Sequence, residues 1–463
     1  MKKRLAMVTF GCQMNVHDSQ RIEEIMRADG YEPGHDVDDA DVIILNTCSV
    51  REKAEQKLRS EAGRLKSSGA VLVIAGCVAQ QEGERIVRDM PFVDAVVGPD
   101  NLSELPALVR NADLGAAPAV RTVHDLDDPK FLENQVRDGA VGASAYVTVM
   151  KGCDERCSFC IVPYTRGAER YRPAQDIVRE VCALVAGGTR EITLLGQTVN
   201  SFVDPSVLRD DATESQFPAL LRELAAAAPA LDRLRYASPH PRHLTPALVQ
   251  AHADLAVLAE HVHMPVQSGS DRVLKRMIRR YTRAEYVRRV ASLQAARPGL
   301  TLSTDVIVGF PGETRADFDE TLSLVREVGF TALYGFKYSQ RPQTPALRLD
   351  DDVSEAEKQD RLQALFEVSE AQTRTHLAAM TGARVEVLVE GPSKPGAATV
   401  VGRTRRNEIV HLPERIDPGA VVVAEIVRAN KHSLEGRLAS VKHAAPAPVV
   451  PTLRKVLLPV VHA

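Results

Sequence analysis

The sequence lacks the defining features of several large protein classes. None of its apolar runs approaches the roughly 20 residues that a helix needs to cross a bilayer. The apolar run after the basic start "MKKR" is shorter than the core of a secretory signal, and only seven cysteines occur in 463 residues. These features argue against a membrane protein and a disulfide scaffold, and we expect a protein of the reducing cytoplasm with no membrane partner.

The sequence also lacks an excess of charge of one sign. It carries 58 Lys and Arg against 61 Asp and Glu, a formal net charge of −3, so no global basic field attracts nucleic acid. Any contact with RNA must therefore use local patches. With 44% hydrophobic and 26% charged residues the composition is that of a globular protein, and the length predicts about three domains.

The first part of the chain, residues 1–115, repeats a strand followed by a helix. The apolar runs "RLAMVTFGC", "ADVIILNTC" and "AVLVIAGC" each end in a cysteine, and a helix-like segment follows each of them. Buried strands that alternate with amphipathic helices predict a doubly wound parallel sheet. Because ligands collect at the carboxyl ends of such strands, we expect Cys12, Cys48 and Cys77 to converge there.

Two further domains follow a segment, residues 112–142, that lacks periodicity and that we interpret as a linker. Residues 140–375 contain about six strand–helix repeats, which predict an incomplete (β/α) barrel with its functional loops after the strands. Residues 378–442 alternate at period two between turns, which predicts a small β-barrel. The fold class is therefore α/β, and the Ala-, Pro- and Val-rich tail 443–463 has no readable role.

The loop "KGCDERCSFCIVPYTRG" after the first barrel strand concentrates the chemistry. Cys153, Cys157 and Cys160 can hold three corners of a 4Fe–4S cubane and leave the fourth iron free to bind a reactant. Zinc is the alternative. It would need a fourth ligand, and no Cys or His follows Cys160 closely.

The remaining cysteines divide into two groups. Cys12, Cys48 and Cys77 follow three successive strands and form a second candidate cluster, with inert core cysteines as the alternative. Cys182 falls on the apolar face of a helix, where we expect core packing. The glycines of "VIVGFPGET" and "LLGQTVN" follow barrel strands, where backbone can approach a bound molecule closely.

The motif "GCDERCSFC" resembles the signature of the radical S-adenosylmethionine proteins, in which the open iron is chelated by the methionine moiety of S-adenosylmethionine. The resemblance places Phe159 near the adenine, and it makes Ile307 and Val308 of "VIVGFPGE" the centre of an adenine-side segment. Gln197, after a barrel strand, and Ser238, in "YASPH", are further candidates for contact with S-adenosylmethionine, with turn structure as the alternative.

A closer resemblance covers about 440 residues, through motifs such as "FGCQMNVHDS", "NTCSVREKAEQK", "IVPYTRGAERYRP" and "YSQRPQTPA" in order. Together they resemble the MiaB-type tRNA methylthiotransferases. The resemblance implies methylthiolation of carbon 2 of an isopentenylated adenosine at position 37, beside the tRNA anticodon.

It also implies the cofactors and partners of that chemistry. These are S-adenosylmethionine and two 4Fe–4S clusters, an auxiliary one on Cys12, Cys48 and Cys77 and a radical one on the barrel loop. The last domain is similar to the RNA-binding TRAM module. We expect a monomer whose partners are the anticodon stem-loop, an electron donor such as flavodoxin or ferredoxin, and a sulfur or cluster-assembly donor.

Contacts with RNA are expected from local basic patches. The segment "RVLKRMIRRYTRAEYVRR" and the turn "GRTRRN" would bind phosphates in a salt-dependent way, with a solvated face as the alternative for each side chain. His261 and His263 alternate on a strand, where we favour interior hydrogen bonding over a metal pair. The basic candidates are Arg272, Lys275, Arg276, Arg279, Arg280, Arg283, Arg288, Arg289, Arg403, Arg405 and Arg406.

Three rival functions stay open. Related methylthiotransferases act on threonylcarbamoyladenosine in tRNA or on an aspartate of a ribosomal protein. "FGCQMN" and "VPYTRG" resemble the isopentenyladenosine group better, and the ribosomal type typically has Pro-Lys where Gln13 and Met14 stand. The third rival is a zinc- or cluster-binding RNA protein without turnover.

Overall fold

A computed structural model of the chain describes residues 2–49, 52–124, 131–134, 142–207, 215–394 and 399–445. Within these ranges a parallel sheet, a partial barrel of strands and helices, and a closed β-barrel follow one another. The α/β fold class and its three-part architecture are confirmed. None of the helices in the described ranges combines the length and the apolar character that a bilayer span requires.

The amino-terminal sheet has six parallel strands in the order β2-β1-β3-β4-β5-β6. Its strands are Arg4–Phe10 (β1), Glu32–Pro33 (β2), Val42–Thr47 (β3), Val71–Gly76 (β4), Ala95–Val97 (β5) and Ala119–Arg121 (β6). Its helices are Gln13–Ala28 (α1), Glu52–Leu65 (α2), Cys77–Glu82 (α3), Glu84–Asp89 (α4) and Leu105–Asp113 (α5), with a 3₁₀ turn at Leu102–Glu104.

Helices cover both faces of this sheet, which explains the apolar runs. Along β3, Val42 and Ile44 pack into one buried cluster, while Ile43 and Leu45 pack into another on the opposite face. A strand buried on both faces reads as a continuous apolar run instead of an alternating one. The doubly wound sheet is therefore the arrangement that buries every residue of "VIIL".

One boundary differs from the sequence expectation. Residues 119–121, which lack periodicity and fall in the expected linker 112–142, form β6 and pair in parallel with β5. A three-residue edge strand is too short to show a period, so its pattern could not reveal it. The amino-terminal unit thus extends beyond residue 115, and parts of the expected linker lie outside the described residues.

The central unit has six parallel strands in two sheets of three, β11-β10-β7 and β12-β13-β14, bridged in parallel between Leu234 and Leu258. The strands are Ser144–Thr148 (β7), Glu191–Leu195 (β10), Arg233–Tyr236 (β11), His261–His263 (β12), Thr301–Val308 (β13) and Ala332–Lys337 (β14). A short antiparallel pair, Met150–Lys151 (β8) and Arg170–Tyr171 (β9), closes the base of the cysteine loop.

Helices surround these strands and enclose one large buried cluster. They are Val162–Thr165 (α6), Ala174–Ala186 (α7), Phe217–Ala227 (α8), Pro246–Asp254 (α9), Asp271–Arg276 (α10), Arg283–Ala296 (α11), Arg315–Val328 (α12) and Glu355–Ala379 (α13). Short 3₁₀ turns occur at Val199–Ser201, Pro241–His243 and Pro345–Arg348. Cys182 packs against the cluster from α7, which confirms the expectation of core packing for this residue.

The carboxy-terminal unit is a closed five-stranded barrel in the order β15-β16-β17-β19-β18. Its strands are Arg384–Pro392 (β15), Val400–Thr404 (β16), Ile409–Leu412 (β17), Val421–Ala429 (β18) and Leu434–His443 (β19). Closure removes the exposed edges that a small sheet would otherwise present. Of the expected tail 443–463, His443 ends β19, and the residues after 445 lie outside the described ranges.

Arg405 fastens this barrel to the central unit, and its expected contact with RNA stays a prediction. The guanidinium donates to both carboxylate oxygens of Glu260, from Nε at 3.1 and 2.9 Å. It also donates to the carbonyls of Asp232, Ala256 and Leu258. All of its donor groups are thus engaged within the protein.

Replacing Arg405 should loosen the contact between the two domains. In Arg405→Ala we expect amide hydrogen exchange in residues 256–260, 384–394 and 399–404 to become about 10- to 100-fold faster, since several buried acceptors lose their donor. The neighbouring Arg406 is exposed, so Arg406→Ala is the matched control and should leave exchange unchanged. Equal exchange in both variants, measured by mass spectrometry, would contradict the assigned role.

Candidate active site

Cys12, Cys48 and Cys77 converge at one edge of the amino-terminal sheet. Cys48 and Cys77 directly follow the last residues of β3 and β4, Cys12 lies one residue beyond the end of β1 after Gly11, and these three strands are neighbours. Their final residues lie in register, because Phe10 pairs with Thr47 and Thr47 pairs with Gly76. Neighbouring strands lie about 4.8 Å apart, so the three cysteines are held side by side as the sequence predicts.

The residues around this trio fix its backbone. Gly76 has φ +92°, and a Cβ there would lie 2.3 Å from Asn46 Oδ1, so this turn requires glycine. Asn46 Nδ2 donates to the carbonyl of Asn15 and to Ser19 Oγ, each at 2.9 Å. Asn15 Oδ1 in turn accepts from the backbone nitrogen of Cys12. A buried amide network therefore positions the first cysteine against the neighbouring strand.

The thiols of this trio differ in acidity. A hydrogen bond from the Cys48 side chain, helped by the charge of Arg166 and opposed by burial, lowers the pKa of Cys12 to about 6. Burial raises the pKa of Cys77, although Arg166 acts against it. Cys12 is therefore more readily ionised than Cys77, and thiolates are the form that binds iron.

Cys153, Cys157 and Cys160 lie on the loop between β8 and β9. The loop is tight at its base, since a Cβ on Gly152 would lie 1.9 Å from the carbonyl oxygen of Ala168. Cys153 N donates to the carbonyl of Gly167, and Cys160 N donates to that of Cys157. Burial, together with the charges of the other two thiols, raises the pKa of Cys160. The Cys160 thiol thus needs a metal, or another cation, nearby to ionise.

Arg279 supplies such a cation beside Cys157, and its expected contact with RNA stays a prediction. It is only 5% exposed, and its Nη1 donates to Cys157 Sγ at 3.3 Å. The other guanidinium nitrogens donate to Tyr281 Oη and to the carbonyl of Pro265. Ile278 and Arg280 on either side have φ of +58° and +55°, and this irregular backbone breaks the helical period from which an exposed face was expected.

Arg166 joins the two cysteine sites. It belongs to "VPYTRG" on the radical loop, but its Nε donates to Cys77 Sγ at 3.4 Å and its Nη2 to Asp18 Oδ2 at 2.6 Å. Despite the cost of burial, the charge of Arg166 holds the pKa of Asp18 down to about 2. The motif "VPYTRG" predicts a functional role for this segment. Only the tertiary structure shows that its arginine contacts the amino-terminal domain.

A second ionic contact lies beside the first. Arg170 Nη1 donates to Asp100 Oδ2 at 2.6 Å, and the side chains of both residues are about nine-tenths buried or more. Lys151 lies 3.5 Å from the other oxygen of Asp100. The amino-terminal sheet and the first barrel loop therefore face each other across paired buried charges.

The residues expected at S-adenosylmethionine gather near the radical loop. Phe159 and Ile307 pack against the same small buried cluster, and the rings of Phe159 and Phe310 meet edge to face at 6.5 Å. Val308 is fully buried in the main core. Ligand contact by these residues stays a prediction.

Two polar candidates lie after barrel strands. Gln197 Oε1 accepts from the backbone nitrogen of Gly152 at 2.5 Å, and its buried Nε2 has no partner among the described residues. Ser238 follows β11 in the left-handed region, with φ +57°. Gln197 therefore supports the cysteine loop whether or not it also meets a ligand.

Three other arginines expected to bind RNA differ in their exposure and in their partners within the protein. Arg280 is exposed, with its Nη1 4.0 Å from Glu155. Arg276 is half-buried and donates to the carbonyl of Pro311. Arg403 pairs with Glu390 at 3.2 Å. RNA contact by these three stays a prediction, with Arg280 the most accessible.

Histidines form a further group beside the radical loop, which sequence reasoning missed. Glu155, between the first two loop cysteines, accepts from His243 Nε2 at 2.6 Å and lies 3.9 Å from His240 Nε2. These residues come from "SPHPRH" after β11, and nothing in the local pattern links them to the cysteines. His261 and His263 share Ser303 Oγ as a partner, which confirms interior hydrogen bonding.

The chemistry of the donor set fits 4Fe–4S clusters. Each site offers three free cysteine thiols, and cysteine thiolates are the ligands that hold such clusters. A closed zinc site would need a fourth ligand at each trio.

Comparisons with known proteins agree with this arrangement. Residues 4–98 match the model of "Uncharacterized protein family UPF0004", residues 147–325 match the Radical SAM superfamily, and residues 378–439 match the TRAM domain. A Sorangium cellulosum protein named tRNA-2-methylthio-N(6)-dimethylallyladenosine synthase is 59% identical, over 96% of this chain and 95% of that protein. The chain belongs to the tRNA-2-methylthio-N(6)-dimethylallyladenosine synthase family.

A second member of this synthase family, from Geobacter metallireducens, is 44% identical over 95% of this chain and 99% of its own length. Among solved structures, the radical S-adenosylmethionine methyltransferase TsrM from Kitasatospora setae aligns with a TM-score of 0.53 at 14% identity, over 86% of this chain and 78% of that one. This structural likeness concerns the fold. The resemblance to radical S-adenosylmethionine methylthiotransferases is confirmed.

The acidities of the thiols predict selective alkylation of the cluster-free chain. Iodoacetamide reacts with thiolates, so labelling of Cys12 should rise with pH to half its maximum near pH 6. Cys153, whose pKa burial raises to about 11, should stay unlabelled at pH 7. Peptide mass spectrometry after brief labelling between pH 5 and pH 9 measures both. An identical pH dependence at the two sites would contradict the assigned environments.

Proposed function

We propose that this enzyme places a methylthio group on carbon 2 of isopentenylated adenosine beside the anticodon of tRNA. The observation that carries the proposal is the placement of two cysteine trios at facing strand ends, joined through Arg166 and Asp18. The names of the two relatives support the isopentenylated substrate over threonylcarbamoyladenosine or a protein side chain.

The substrate explains why cofactors are needed. Carbon 2 of adenine carries an unactivated C–H bond, and no arrangement of acid and base side chains replaces that hydrogen with sulfur. When bound, a 4Fe–4S cluster with S-adenosylmethionine supplies the radical chemistry that can do so. This is the cofactor class of the family.

The residues of the chain hold and orient these groups. Cys153, Cys157 and Cys160 would hold the radical cluster, and Cys12, Cys48 and Cys77 the auxiliary cluster. Arg279 places a buried positive charge on one thiolate of the first set, and Arg166 does so for the second. Phe159 and Ile307 offer apolar surface beside the loop, on which the adenine of S-adenosylmethionine would pack.

Binding of tRNA would involve the TRAM barrel and the exposed Arg280 near the radical loop. The target base has to leave its stack to reach the cleft, which a single-stranded anticodon loop makes inexpensive. We further propose that a flavodoxin or ferredoxin supplies electrons and that a cluster-assembly protein supplies iron and sulfur. Since tRNA is used in the cytoplasm, the enzyme would act there.

Nucleoside analysis tests the substrate. In a strain that lacks this gene, methylthio-isopentenyladenosine should disappear from tRNA, and isopentenyladenosine should accumulate. A plasmid copy should restore the product, Cys157→Ala should restore none, and Cys182→Ala, which changes a cysteine packed in the core outside the site, should restore it. Liquid chromatography with mass spectrometry measures both nucleosides. An unchanged nucleoside profile in the deletion strain would refute the proposal.

Iron analysis tests the cofactor assignment. Anaerobically reconstituted protein should carry about eight irons and eight acid-labile sulfides per chain. The combined change of Cys12, Cys48 and Cys77 to Ala should halve both contents, as should the same change of Cys153, Cys157 and Cys160. One zinc per chain with little iron would instead indicate a structural metal protein without turnover.

A further inference from the structure

Arg166 has one donor group that the protein does not use. Its side chain is 4% exposed, Nε is bonded to Cys77 Sγ, and Nη2 is bonded to Asp18. Nη1 is buried and has no hydrogen-bond partner among the described residues. A buried guanidinium N–H that stays unpaired is costly, so its place in the fold indicates a partner that arrives with a ligand.

The surroundings of Arg166 indicate the chemistry of that ligand. Its guanidinium lies within the electrostatic reach of Cys12 as well as Cys77, so it sits at the auxiliary trio. Asp18 is already ionised and paired with it. Asp18 therefore compensates the charge of Arg166, and what the arginine offers a ligand is mainly a directed N–H donor. Such a donor suits a small anion that is held at a fixed position.

We propose that Arg166 Nη1 binds the sulfur that is to be transferred, as a small anionic sulfur ligand (hydrosulfide or methanethiolate) at the open iron of the auxiliary cluster. This inference rests on the proposed function. Sulfur anions are soft, weakly hydrated acceptors, and in a water-poor site a charged N–H donor both orients such an anion and favours it over neutral thiol.

The position of Arg166 in the chain has a structural consequence. Arg166 belongs to the radical loop, whereas the ligand would be held by cysteines of the amino-terminal sheet. The position of the sulfur would thus depend on contact between the two domains, and it would be fixed relative to the loop on which the other cluster is held.

Ligand binding to the full-length, fully reconstituted protein tests this inference. Excess S-adenosylmethionine occupies the open iron of the radical cluster, and methanethiolate or hydrosulfide is titrated in separate arms. The electron paramagnetic resonance signal of the reduced auxiliary cluster reports binding. We expect Arg166→Gln to raise the dissociation constant about 10- to 100-fold, as expected for the loss of a charge-assisted hydrogen bond.

Asp18→Asn is the matched control. It breaks the same ion pair from the other side but keeps the guanidinium, whose buried charge is then uncompensated, so the anion should bind at least as tightly as in the wild type. Binding of either anion with this pattern supports the inference, and the arm that shows it identifies which sulfur species is held. Equal losses in both variants would indicate that Arg166 only tethers the domains, and would overturn the inference.

Two further outcomes are decisive. If Arg166→Gln loses the auxiliary irons, Arg166→Lys is measured in its place. We expect Arg166→Lys to bind the anion about tenfold more weakly, because lysine lacks the planar fork of donors of the guanidinium. Unchanged affinity in this variant would overturn the inference. If the wild-type protein holds eight irons but neither anion alters its spectrum, the inference is wrong. The proposed function then still stands or falls on the tRNA nucleosides.

Discussion

Parallel strand pairing is the constraint on which the site depends. Parallel strands end at the same edge, and a residue that follows one strand therefore lies beside the residue that follows the next. In the amino-terminal sheet this rule brings together Cys12, Cys48 and Cys77, although a helix separates each from the next along the chain. In the central unit the same rule places the cysteine loop, which follows β7, beside Gln197, which follows the neighbouring strand β10.

Buried ion pairs hold the two edges against each other. A buried pair stabilises little after desolvation, but it tolerates few alternative geometries because an unpaired buried charge is far more costly. Arg166 with Asp18, and Arg170 with Asp100, each take one partner from either domain. Their contribution is therefore to the relative position of the two cysteine sites, more than to the free energy of unfolding.

Local sequence patterns predicted the secondary-structure elements of this protein well. They predicted contacts between segments that are far apart along the chain poorly. The strand ends with their cysteines and the loop Cys153–Cys160 follow from runs of a few residues, whose period or spacing is visible in the sequence. The contacts of the Arg166, Arg279 and Arg405 side chains, in contrast, are made with segments that are remote along the chain. An arginine in a basic, helix-like run looks solvated until tertiary structure shows a buried acceptor for it, and the three-residue strand β6 is too short to carry a period.

The backbone around Arg279 shows how such a contact is enforced. Ile278 is β-branched and has φ +58°, a conformation that costs about 1–3 kcal/mol and persists only where the surroundings over-determine it. The next residue spreads its guanidinium over Cys157 Sγ, Tyr281 Oη and the Pro265 carbonyl, and is buried by them. Helix α10 ends at Arg276. If the helical geometry continued through Arg279, the side chain of Arg279 would point in a different direction. The strained left-handed turn therefore positions the guanidinium of Arg279 beside the sulfur of Cys157 inside the protein.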